Sequence, residues 1–262
     1  MAITTSAHSK QLQMNLLNLV ADEYERKARI YPALIVIAPG ILVAVAALIS
    51  DFSSLKAFAA AIGSCGGTFS LSQLARDAGK KKEKALFEQW GGMPSISIFR
   101  HRDNRLDPVT KGRYHAKLSH LVKGTKAISA KEEQSNPNKA DKIYEAWSHY
   151  IRVNTRDTKK YRMIFQENIN YGFRRNIWGM RLIGGGISFI CIMFSLYLSY
   201  EQYNINRSLN VNLNISAIIC AIFLMLWIFR FSSEWVRIPA NAYSERLAEA
   251  VETINPARSD KY

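Results

Sequence analysis

The sequence predicts an all-α integral membrane protein in which four transmembrane helices, set in two hairpins, flank a small, mainly helical cytoplasmic domain. Two observations carry this expectation. Residues 30–50, 57–75, 182–200 and 208–229 contain no charged side chain, and a bilayer core of ~30 Å takes roughly 20 helical residues to cross. Charge, by contrast, is concentrated between the pairs. Of a formal net charge of +14, residues 76–181 contribute +13, from 24 Lys/Arg against 11 Asp/Glu. Positive residues close to the ends of spans stay on the cytoplasmic side, and Lys80, Lys81, Lys82 and Lys84 follow the second span while Arg174, Arg175 and Arg181 precede the third. The links inside each pair hold only Asp51 and Lys56, or Glu201 and Arg207. Both termini and the centre are therefore expected in the cytoplasm of a bacterial-type inner membrane. The chain divides into an N-terminal amphipathic helix (1–30), a first hairpin (31–75), a basic cytoplasmic domain (76–181), a second hairpin (182–230) and a C-terminal cytoplasmic helix (231–262).

Each element has its own justification. Leu12, Leu16, Leu19 and Val20 recur at helical spacing ahead of Tyr31-Pro32, which reads as an amphipathic helix. It lacks the cationic start and cleavage site of a signal peptide. The first span is strongly apolar, and Pro39-Gly40 predicts a kink that membrane helices tolerate. The second span is small and polar. Ala59, Gly63 and Gly67 recur every four residues, a stripe that lets helix backbones approach closely, and predict packing at the interface of a homo-oligomer. Ser64, Thr68 and Ser72 form a parallel line of hydroxyls. Such groups either bond to carbonyls and neighbouring helices or face water in a pore, since lipid offers them no partner. Both readings stay open, and the line supplies the candidate pore-lining residues.

Past the second span the helix is expected to continue as far as Gly91-Gly92. Ser95-Ile96-Ser97-Ile98-Phe99 alternates like a short strand or extended segment. Asp107-Pro108 and Asn136-Pro137 each read as an N-cap followed by proline at the first helical position. Tyr114, Leu118, Leu121 and Val122 give the first of these helices an apolar face; Ile143, Trp147, Tyr150 and Ile151 do so for the second. Residues 124–139 read as an exposed loop. From Tyr171 to Trp178, aromatic and arginine residues alternate as in an interfacial belt. Gly172, Gly179 and Gly184-Gly185-Gly186 leave open a flexible elbow at that point. Tyr243, Leu247, Ala250, Val251 and Ile254 predict a final amphipathic helix beginning after Ile238-Pro239.

Chemistry is harder to place. No Asp, Glu, Lys, Arg or His lies within the four uncharged stretches, which disfavours proton-coupled transporters and voltage sensors. Cys65, Cys191 and Cys220 fall one to a span with no C-x-x-C pair, and the histidines show no metal-ligand spacing. No metal, cofactor or enzymatic activity is expected. His101-Arg102-Asp103 resembles a kinase catalytic loop only in three letters, without the glycine-rich loop or Asp-Phe-Gly that would accompany it. Arg100, His101, Arg102, Arg105, Arg113 and His115 form the densest basic cluster. Arginines of this density can hold phosphate bidentately, so the cluster is the candidate site for a nucleotide or other anion. The alternative is a solvated basic face touching anionic headgroups. A nucleic-acid partner is disfavoured, because no binding motif accompanies the charge.

These features together predict a membrane-embedded homo-oligomer acting as a ligand-gated pore or membrane-disrupting effector under the control of its basic domain, of the kind that serves bacterial stress or antiphage responses. The rival expectation is a non-conducting scaffold that recruits an acidic cytosolic protein. Membrane lipid is a partner in either case.

Overall fold

The computed structural model describes residues 22–50 and 67–254, with side chains from residue 72 onward in the second segment. It is all-helical, 81% helix with no strand among the described residues. We label α1 (Tyr31–Ile49), entered through a π turn at Glu25–Ile30; α2 (Gly67–Gln89); α3 (Pro94–Ser97); α4 (Pro108–Leu121); α5 (Ala130–Ser135); α6 (Pro137–Asn154); and α7 (Arg162–Gly179). Then follow α8 (Arg181–Asn206); α9 (Val211–Met225), ending in a π turn at Leu226–Arg230; and α10 (Ser233–Glu249), with a 3-10 turn at Ala250–Glu252. Three helical segments are long and apolar enough to cross a membrane: Glu25–Ile49, Arg181–Asn206 and Val211–Arg230. The fourth expected span, 57–75, lies mostly outside the described residues, as do the helix at 12–20 and Ala59, Gly63 and Ser64.

The chain forms two compact units, residues 1–83 with 172–236 and residues 84–171 with 237–262. In the first, α1, α8 and α9 pack on one another, and small and polar residues are prominent in their contacts. Ala44, Ala46, Ala47, Leu198 and Leu213 are buried together. The Ser195 and Ser216 hydroxyls bond at 2.8 Å, Ser199 donates to Asn214 Oδ1 at 3.1 Å, and Asn210 donates to the Ser50 hydroxyl at 2.7 Å. Phe189, Ile190 and Met193 of α8 and Ile215, Ile218 and Ile222 of α9 are exposed instead. Lipid is as apolar as leucine, so membrane helices associate through close backbone packing and hydrogen bonds, leaving their large side chains to the outside. Pro39 lies inside α1, and Cys220 Sγ of α9 donates to the Pro39 carbonyl at 3.8 Å.

A second layer of the same unit is built on α7. Gly172, Asn176 and Gly179 fall at i, i+4 and i+7 on one face. A Cβ on Gly179 would lie 2.5 Å from the Gly79 nitrogen, and one on Gly79 would lie 2.4 Å from Asn176 Oδ1. A Cβ on Gly172 would meet Tyr24 and Ala28. Asn176 donates to the Ala28 carbonyl at 2.7 Å, Lys82 to the Gly179 carbonyl at 2.9 Å, and Arg175 to Glu83 at 2.9 Å. Gly184 lies against the Trp227 ring, where a Cβ would sit 2.3 Å away. Of the glycines that left an elbow open, Gly172, Gly179 and Gly184 are sites of close approach.

The second unit has a conventional apolar core. Phe99, Leu118, Tyr144, Trp147 and Ile151 are buried with Leu247, Val251 and Ile254. Phe99 meets Trp147 edge-on with centroids 6.1 Å apart. Asp107 and Asn136 cap α4 and α6 as expected, accepting from Thr110 and Lys139 nitrogens. Three expectations need correction. Residues 95–99 are not a strand: Pro94 opens a single helical turn, closed by Ile98 N–H to Pro94 O at 3.1 Å. A lone strand has no ladder to satisfy its backbone, whereas the turn satisfies itself and lets the buried Ser148 hydroxyl bond Ser95 at 3.1 Å. The supposed loop at 124–139 contains α5, begun by a reciprocal capping box between Ser129 and Glu132. The last helix starts at Ser233 rather than after Pro239, which it contains.

If Gly179 is a contact rather than a hinge, Gly179→Ala should lower the unfolding midpoint of the full chain in mild detergent by the cost of overpacking, about 1–3 kcal/mol. Gly186, which faces open space, should accept alanine with no loss. Equal behaviour of the two variants in a thermal-unfolding assay would contradict the crossing.

Candidate anion-binding cleft

The site begins at the turn that ends α2. Gly91 and Gly92 take φ of +76° and +135°, angles that glycine adopts without penalty. Arg100 lies against that turn: a Cβ on Gly92 would be 2.7 Å from its Nη2. The guanidinium donates from Nη1 to the Gly91 carbonyl at 2.6 Å and from Nε and Nη2 to the two Asp141 oxygens at 2.8 Å each. Arg100 is therefore a strut joining the turn to α6.

Arg105 is equally committed. It forms a bidentate pair with Asp103, donates through Nη1 to Asn241 and Ser244 of α10 at 3.0 and 2.9 Å, and through Nη2 to Ser97 at 2.8 Å. Burial alone would raise the Asp103 carboxyl, but hydrogen bonds and charge from Arg105, with the charge of Lys111, hold it below the usual carboxylate range. Lys111 itself is buried, and its ammonium grips the loop from below by donating to the Arg100 carbonyl at 2.8 Å and to the Asp103 carbonyl. Desolvation pushes its pKa down.

Behind the loop lies a polar network. Glu133 Oε2 accepts from the His101 backbone N–H and the Tyr144 hydroxyl, both at 2.8 Å. Burial, then the Glu133 carboxylate, raises the Tyr144 phenol. His101 Nε2 donates to the Ile128 carbonyl at 2.7 Å, and His115 Nε2 to the Phe99 carbonyl at 2.8 Å. His115 is packed against Trp147 with centroids 4.9 Å apart. Arg113 is exposed and pairs with Glu252 at 2.6 Å.

Two cavities flank the loop. The first, of about 530 Å³, is lined by Trp90, Arg100, Arg102, Asn104, Arg105 and Arg237 among others. The second, of about 550 Å³, lies between Arg100, His101, Arg102, Glu133 and Asp141. Of the six residues expected to bind an anion, Arg100, Arg102 and Arg105 line the first cleft and His101 the second; Arg113 and His115 line neither. Arg102 is exposed and makes no hydrogen bond or ion pair among the described residues. Sequence reasoning missed Trp90, Asn241 and Arg237, which tertiary packing brings to the cleft. Trp90 is only 9% exposed, and its indole N–H has no hydrogen-bond partner. The lining thus contains four guanidiniums and one carboxylate, Asp103, a field that favours an anion.

Among the described residues no cluster of three His, Cys, Asp or Glu could hold a metal ion. The chain matches no family model, and no curated protein or solved structure matches it. Fold and site define an all-helical, membrane-associated protein with a basic cleft in its polar unit.

Burial pushes the His115 pKa down to about 4, with the Phe99 hydrogen bond opposing and the His101 and Lys111 charges assisting. The unfolded chain takes up this proton near 6.5 and the folded chain only near 4. Stability from this group is therefore complete above pH 6.5 and declines as pH falls towards 4, by about 1.4 kcal/mol per pH unit. His115→Gln should flatten that part of the acid limb relative to the unsubstituted chain, measured by denaturant midpoints between pH 7.5 and about 5. Parallel acid limbs would contradict a neutral, buried His115.

Proposed function

We propose that the protein is a membrane effector gated by an anionic ligand, a nucleotide being the favoured class, bound in the arginine-lined cleft. The observation that carries this reading is the cleft itself. It has ligand-sized volume, within the ~300–1,000 Å³ typical of small-molecule sites, and an unpaired cation, Arg102, at its edge. Arg100 and Arg105 supply fixed positive potential but few free donors; Arg102 is the residue able to reorganise towards a phosphate. The architecture belonging to this proposal has four spans in two hairpins, both termini and residues 76–181 in the cytoplasm, and a homo-oligomer closed on Ala59, Gly63 and Gly67. In it, Ser64, Thr68 and Ser72 line the conducting path in an inner membrane.

A second reading is a non-conducting scaffold that presents the same cleft to an acidic cytosolic protein. One observation favours it: the hydroxyls of α8 and α9 bond within and between helices, Ser188 to the Gly184 carbonyl at 2.8 Å and Ser195 to Ser216 at 2.8 Å, so serine in this unit serves packing.

Ion release from liposomes containing the purified full chain separates the two. Nucleotide-dependent release that Arg102→Glu reduces at least tenfold, with Lys126→Glu retaining it, is the expected result. Charge reversal at a phosphate contact is worth upwards of ~1.5 kcal/mol. Tight liposomes with every nucleotide, together with capture of an acidic protein lost in Arg102→Glu, would replace the effector with the scaffold. Reporter fusions test the topology independently, with Ser53 and Asn206 expected outside and Lys126 inside.

A further inference from the structure

A second cationic site lies in the other unit, at the start of the α8 span. Trp178 is 8% exposed, and its indole N–H has no hydrogen-bond partner. Two cations flank its ring: Lys82 Nζ lies 5.8 Å and Arg181 Cζ 5.3 Å from the ring centroid. Neither Lys82 nor Arg181 has an acidic partner among the described residues; Lys82 donates only to the Gly179 carbonyl at 2.9 Å. Two like charges sharing one indole are an unfavourable arrangement, and burial together with the Arg181 charge lowers the Lys82 pKa. Immediately beyond Arg181, Leu182 and Ile183 are 72% and 50% exposed.

We propose that Lys82 and Arg181, gathered on the Trp178 ring, form a headgroup site for an anionic phospholipid. A phosphate lodged beside the two cations offsets their repulsion. The exposed Leu182 and Ile183 then carry the start of the acyl chains. A soluble phosphate would use the two cations but leave that apolar step uncovered, which is why a lipid is the occupant of choice. Arg181 is the first residue of a helix long and apolar enough to span, so its side chain falls at the level where headgroups lie. The site shares no residue with the cleft of the polar unit and stands or falls without it.

The test is lipid retention by the full chain, taken from mixed micelles holding equal amounts of phosphatidylglycerol and phosphatidylcholine and counted by native mass spectrometry. The unsubstituted chain should enrich phosphatidylglycerol. Arg181→Gln, at an exposed position where folding is not at stake, should cut that enrichment about fivefold, the worth of one basic residue near a headgroup. Lys82→Gln should cut it as well, while Lys80→Gln, which removes the same charge two residues from Lys82, should not. Undiminished enrichment in Arg181→Gln overturns the site. An equal loss in Lys80→Gln overturns it in favour of diffuse attraction. Loss of the enrichment on adding inorganic phosphate at millimolar concentration overturns the lipid and makes a soluble anion the occupant.

Discussion

The crossing of α2 and α7 at Gly79 and Gly179 is the constraint on which the membrane-associated unit depends. Backbones this close leave no room for a side chain on either helix, so the contact is made of peptide groups, and every polar atom near it needs a partner. Asn176 supplies one to the Ala28 carbonyl, and Lys82 supplies one to Gly179. Arg175, buried beside them, is held by Glu83. A buried charge left alone would cost several kcal/mol, and an unpaired amide ~1–3. The crossing therefore brings a linked polar layer with it, and the positions of Lys82 and Trp178 follow from that layer.

The polar unit solves a related problem by other means. Its arginine cluster would repel itself if it were only a solvated surface. Instead Arg100 and Arg105 are each drawn into bidentate pairs and then into backbone and hydroxyl contacts, while Lys111 ties the loop from beneath. Carboxylates that pair with arginine in two-point geometry orient as well as attract. The result is a rigid, positively biased rim from which Arg102 alone of the three projects unpaired. Positive potential and available donors are thus supplied by different residues, an arrangement suited to holding a ligand without rebuilding the site.

Much was legible in the linear chain. Uncharged runs of spanning length mark membrane helices because lipid offers charge no partner, and three such helices are present. Local rules fixed several boundaries: Asp107-Pro108 and Asn136-Pro137 start helices because a side-chain acceptor and a proline suit the unpaired first turn, and Gly91-Gly92 stops one because those φ values need glycine. The capping box at Ser129 and Glu132 was equally readable, and α5 could have been found from it. The apolar faces of α4, α6 and the last helix identified the core of the polar unit.

What the chain alone could not decide depended on partners distant in sequence. Alternation at residues 95–99 suits a strand, but with no neighbouring strand the backbone closed on itself and became a helical turn. Glycine in sequence denotes only a missing side chain; whether the gap serves motion or contact depends on what approaches it, and at Gly172, Gly179 and Gly184 a helix or a tryptophan does. Six basic side chains looked equivalent as candidate anion ligands, yet Asp141, Asp103 and Glu252, 41, 2 and 139 residues away from the arginines they hold, engage donors on three of them. Sequence determined where charge and apolarity lie, because those are properties of each residue. Only the tertiary structure decided which charges remain available, because that is a property of pairs.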